Sequence, residues 1–143
     1  SLVRRVTLAG EGFFGRNLAG FQGGVFQGIN PDFALGEWPL LVLSGARGIR
    51  TRGGWAQLGV TPPRQEKLTF YAGFGLDDPR DEDLVSSPAR DWRERNQTFA
   101  LSFLHKLSGQ LSWGLEFRRM MTQFLQSGRR TNNHVNLGVT ASF

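Results

Sequence analysis

Five carboxylates crowd into seven positions, at Asp77, Asp78, Asp81, Glu82 and Asp83. Such a run could hold a divalent cation, but the spacing of a calcium-binding helix-loop-helix and its obligatory glycine are missing. The expectation is a solvated acidic loop, with a weak divalent-cation site as the lesser alternative. Gly10, Gly12 and Gly15 fit G-x-G-x-x-G, a pattern that cradles a pyrophosphate only where a helix starts directly behind it. Here Arg16, Asn17, Leu18, Ala19 and Gly20 follow, then Gly23 and Gly24, a poor helix. No cofactor is expected. His105 and His134 lack a nearby nucleophile and an orienting carboxylate, and no serine sits in an elbow motif. Cysteine is absent, which removes disulfides and thiolate metal sites. Neither a catalytic centre nor a metal site is expected, and the chain does not read as an enzyme.

A different chemistry is spelled by residues at every second position. Arg5, Glu11, Tyr71, Asn96, Thr98, Lys106, Glu116 and Arg118 all fall on the hydrophilic side of alternating segments. Such a side can hold water and set a field on passing solutes. Its charged members, Arg5, Lys106 and Arg118 against Glu11 and Glu116, leave one net positive charge. Rings of like charge select ions in pores, so the expected bias toward anions is mild. Over the whole chain, 17 Lys and Arg oppose 12 Asp and Glu, a formal charge of +5. That excess suits a solvated surface, and also nucleic-acid binding or a cationic pore.

The segments that carry these residues have period two, which is the period of strands and not of helices. It recurs six times, over about 4–16, 51–60, 67–77, 93–107, 111–125 and 134–143. In the last, Val135, Leu137, Val139, Ala141 and Phe143 alternate with His134, Asn136, Gly138, Thr140 and Ser142. No apolar run approaches the ~18 residues of a transmembrane helix, and residues 1–5 lead into an alternating segment and not into the apolar stretch of a leader. The connections alternate too. Residues 61–66 and 108–110 form short turns, whereas 17–50, 78–92 and 126–133 are longer. A hairpin around 37–44 could hide in the first of these. That first loop could also fold inward as a constriction, or pack on a neighbouring subunit.

A soluble β-sandwich also alternates. Strands of ~10 to 15 residues, however, exceed the ~5 to 6 usual in globular sheets and suit a tilted crossing of a ~25 Å apolar band. Trp113 and Phe143 fall near the short-turn end, and Trp92 and Phe14 near the long-loop end, as in interfacial girdles. Arg119 tests the idea, because strict alternation puts it beside Phe117. Eight residues beyond Leu111, at ~3.3 Å rise and ~45° tilt, place it about 19 Å up, near an interface. A bulge at Arg118–Arg119 would serve equally well.

Several stretches resemble the trimeric outer-membrane porins of the DcaP-like kind. They are residues 11–18, 53–58, 68–79, 95–98 and 113–118, joined by 133–143, which ends on Phe143. The resemblance implies an all-β, antiparallel, transmembrane up-and-down barrel in the bacterial outer membrane. It implies passive diffusion of small solutes, anionic ones included, and assembly as a homotrimer. It also implies that the assembly machinery reads the terminal aromatic strand through Phe143. Outer-membrane lipid and lipopolysaccharide are the implied surroundings, and no nucleic acid. Single-chain barrels of this type start at about eight strands, so six suggest that residues 1–143 are the C-terminal segment of a larger barrel domain. Two other classes stand beside this one. A small structural or adhesion barrel would be plugged by bulky, mutually paired lumen residues. A soluble basic β-sheet binding module would stay in solution without detergent.

Overall fold

The computed structural model describes residues 5–21, 27–30, 47–84 and 91–142. In chain order the strands are β1 (Arg5–Arg16), β2 (Ile29–Asn30), β3 (Arg47–Gly48), β4 (Arg50–Thr61), β5 (Leu68–Pro79), β6 (Arg93–Lys106), β7 (Leu111–Phe124) and β8 (Gly128–Ala141). Short 3-10 turns occupy Leu18–Phe21 and Asp81–Asp83. The six long strands form one antiparallel sheet in the order β1-β4-β5-β6-β7-β8. Each pairs with the long strand next to it in sequence, so the sheet is an up-and-down meander. It is open: among the described residues, β1 and β8 each have a partner on one side only. β2 and β3 pair with each other as a separate two-stranded ladder. The putting-together of this fold from hairpins is what the alternating segments predict, and each of the six long strands overlaps one of the period-two segments.

Two connections differ from expectation. β8 starts at Gly128, six residues before the expected 134, so the long connection expected over 126–133 is a tight turn at Leu125–Ser127. Arg129 to Asn133 are polar on both faces, which erases the alternation that marks a strand. Pairing with β7 recruits them all the same, Gln123 opposite Arg129 and Met121 opposite Thr131. Gly128 takes φ 75°, a left-handed conformation that glycine adopts without penalty. Asp91 holds the turn by accepting the amides of Gln126 (2.9 Å) and Ser127 (3.2 Å). The bulge considered at Arg118–Arg119 is absent. Pairing runs unbroken there on both sides of β7, and the register shift lies instead between Arg93 and Arg95.

Among the described residues, the buried apolar cluster lies at one end. Ile49, Leu84 and Trp92 are buried, with Leu125 against them. All four belong to the connections at the end opposite the short turns. The expected place of Trp92 in an interfacial girdle is therefore corrected: its ring is 2% exposed inside this cluster. Gln27 staples the same end by donating to the Arg93 carbonyl and accepting the Arg93 amide, at 2.9 and 2.8 Å. Residues 37–44, including Trp38, and the terminal Phe143 lie outside the described residues.

Candidate functional site

Cross-strand pairing decides which side chains share a face, because opposed residues project to the same side. Leu8, Leu58, Ala72, Leu101, Phe117 and Val135 stand in one unbroken row across all six strands. Val6, Val60, Phe70, Phe103, Leu115 and Leu137 form the next row toward the short turns. No layer of described residues covers them: Leu8 is 78% exposed, Leu101 61% and Leu137 68%. Fully burying one such side chain is worth about 1.5–3 kcal/mol. Twelve of them aligned on an open face make a contiguous apolar surface far larger than stray exposed residues, of the kind that marks a membrane or partner contact.

This band has different rims. Toward the short turns, Trp113 donates its indole N–H to Nδ1 of His105 (3.2 Å) and meets Phe103 edge-on at 5.0 Å. Toward the loops, Arg119 stands on the apolar face opposite Phe99 and Asn133. Farther out, the row reads Phe14, Arg52 and Asp78, continued on β6 to β8 by Arg95, Gln123 and Arg129.

The opposite face carries every residue expected on the hydrophilic wall. Tyr71 and Glu116 share a row with Thr7, Gly59, Ser102 and Asn136. Glu11 and Thr98 share another with Trp55, Gly75, Met120 and Asn132. Arg118 lies between these rows opposite Ala100 and His134. Asn96 opposes Asp77 and Thr122, while Arg5 and Lys106 sit at the short-turn end opposite Thr61 and Ser112. Arg118 Nη2 pairs with Glu116 Oε1 at 2.8 Å, and Asn136 donates to the same oxygen at 3.1 Å. Thr122 donates to Asn96 at 2.7 Å. The Tyr71 ring lies over Gly59, where a Cβ would strike both it and the Thr7 hydroxyl. Gly73, Gly75, Ala100 and Ser102 keep the middle of this face shallow.

The acidic run is only in part the solvated loop expected of it: Asp81 and Glu82 are exposed, whereas Asp77, Asp78 and Asp83 are drawn into contacts. β5 runs through Asp77 and Asp78 to Pro79, and a short 3-10 turn takes Asp81–Asp83. Asp77 accepts from Thr51 (2.9 Å). Asp78 takes Arg52 on one oxygen (3.1 Å) and Arg95 on the other (2.8 Å). Asp83 takes Arg50 through Nε and Nη2, both at 2.7 Å, and also the Arg50 amide at 2.9 Å. The Arg50 guanidinium holds the Asp83 carboxyl down at about 2, since bonds to the charged form favour it. No group of three or more His, Asp or Glu side chains is placed to hold a metal ion among the described residues. The sequence reading missed this arginine–carboxylate rim, because its partners are separated by 17 to 33 positions. A signal existed in Arg16, Arg50, Arg52, Arg80 and Arg95, which flank the acidic run at strand ends. Together they border an open cleft of about 880 Å³.

Comparison with protein-family models, with curated proteins and with solved structures finds no match to this chain.

Proposed function

We propose that this chain forms part of the wall of an outer-membrane β-barrel through which small hydrophilic solutes, anionic ones included, diffuse passively. The observation that carries this reading is the pair of apolar rows spanning all six strands, exposed on one face and backed by a polar face. Lipid is the natural cover for the first and water for the second. From Leu111 to Met121, ~3.3 Å per residue at ~45° tilt spans about 23 Å, close to the apolar band of an outer membrane. The open edges of β1 and β8 cannot stay unpaired in hydrocarbon, where each unsatisfied backbone group costs several kcal/mol. Further strands close the wall there. The shallow middle of the polar face favours a channel over a barrel plugged by its own side chains.

These 143 residues hold no cysteine, so only cysteines outside them need replacing before the test. Single cysteines are placed at Thr98 or Ser102 on one face and at Leu101 or Leu137 on the other, in the full-length protein reconstituted into planar bilayers. A charged, membrane-impermeant thiol reagent should modify the first pair and lower the conductance. It should leave the second pair untouched. The inverse labelling pattern, or a bilayer without conductance, refutes the proposal.

A further inference from the structure

The apolar band carries no charge in its two central rows, yet its loop-side rim is crowded with arginine on the same face. Asp78 is only 13% exposed at its side chain and sits beneath Arg52 and Arg95, which are 78% and 54% exposed. Each guanidinium spends Nε on the buried carboxylate, Arg52 adding Nη2. The carboxylate therefore works as a spacer that fixes two guanidinium groups side by side, both still more than half exposed. The cleft they border is lined by five arginines against three carboxylates; with Arg50 taken up by Asp83 just behind it, one positive charge is left over. Phe14, 89% exposed, stands at its edge on the apolar face. Six residues separate Leu58 in the middle of the band from Arg52, about 14 Å of height at ~3.3 Å rise and ~45° tilt. That is the level of a headgroup.

We propose that this cleft seats the phosphomonoester of a membrane lipid headgroup, with Arg52 and Arg95 as its fork and Phe14 against the acyl chain below. A phosphomonoester carries about −1.5 to −2 charge at neutral pH, so the leftover positive charge of the cleft attracts it. Paired guanidinium groups bind phosphate oxygens bidentately, whereas an ammonium offers only a point charge. Membrane lipid, and not free phosphate, is the occupant because the site continues the apolar band: a lipid meets the arginines and Phe14 at once. The other rim, with Trp113 and His105, carries Arg64 and Lys67 beside Glu66, but no two guanidinium groups held on one carboxylate are found there among the described residues. This proposal rests on the barrel reading above.

The test uses the full-length protein in detergent micelles, with phosphatidic acid as the probe and phosphatidylcholine as reference, and bound lipid counted by native mass spectrometry. Phosphatidic acid should be retained at least tenfold better than phosphatidylcholine. R52Q/R95Q should lose that preference, and R52K/R95K, which keeps the charge without the fork, should retain part of it. Equal retention of both lipids by the wild type overturns the proposal, as does an undiminished preference in R52Q/R95Q. So does displacement of the lipid by millimolar inorganic phosphate, which would mark a general anion site. The thiol-labelling pattern of the two faces, measured on the same variants, reports on folding. If that pattern holds while lipid selectivity fails, only the headgroup site is lost. If the pattern itself inverts, the barrel reading falls with it.

Discussion

Arg119 stands directly across from Phe99 on the apolar face, with unbroken pairing on both sides of its strand. It belongs to the row just loopward of the one that contains Phe117 and Leu101. No backbone irregularity turns it away, so its depth alone decides what it costs. An arginine near an interface costs about 0–1 kcal/mol and one at the midplane about 2–4. R119L should therefore change stability by no more than about 1 kcal/mol, while F117R, two residues deeper, should destabilise by roughly 2–4 kcal/mol. Denaturant unfolding of the full-length protein from lipid vesicles measures both. Equal penalties would mean that the face does not meet a bilayer.

The clamp of Arg50 on Asp83 makes the loop end acid-sensitive. Asp83 has its pKa lowered to about 2 in the fold by the hydrogen bonds from Arg50, against ~3.9 when unfolded. A depressed pKa stabilises fully above the unfolded value, and that contribution is lost as pH falls toward the folded one. Protection of the Arg50 amide, which donates to Asp83 at 2.9 Å, should hold down to about pH 4 and decline from there to pH 2. D83N should be less protected at neutral pH and lack that step. A wild-type protection factor flat across pH 4 to 2 would rule the clamp out.

Gly128 re-enters the sheet at φ 75°, and a Cβ there would meet nothing within 4 Å. Strain in the backbone, and not collision, is what a substitution would add. G128A should cost roughly 1–2 kcal/mol, whereas G128N should cost less, because asparagine visits this conformation more readily. The same unfolding measurement ranks them. An identical cost for both would assign the effect to something other than φ.

On the polar face, Arg118 and Glu116 are paired at 2.8 Å. R118E removes that pair and turns the net charge of the five wall residues from positive to negative. Reversal potentials of the full-length protein in a salt gradient should move toward cation preference. An unchanged potential would take Arg118 off the conducting path.

Alternation alone is enough to place the six long strands and to sort every expected wall residue onto one face, since a strand's side chains must alternate whatever it pairs with. Leu101 and Ser102 are separated by a single peptide, so their opposite fates are local. Where both sides of a strand are polar, as from Arg129 to Asn133, periodicity is silent, and only the hydrogen-bonding edge of β7 makes a strand of those residues. The acidic run misled for the same reason. Asp78 reads as solvated until Arg52 and Arg95 are brought beside it, 26 and 17 positions away. Trp92 likewise reads as an interfacial aromatic until Ile49 and Leu84 close over it. Which face a residue takes is thus a property of its own segment. Which partner neutralises its charge or covers its ring depends on register between strands, because contacts across a sheet join residues that sequence spacing keeps apart.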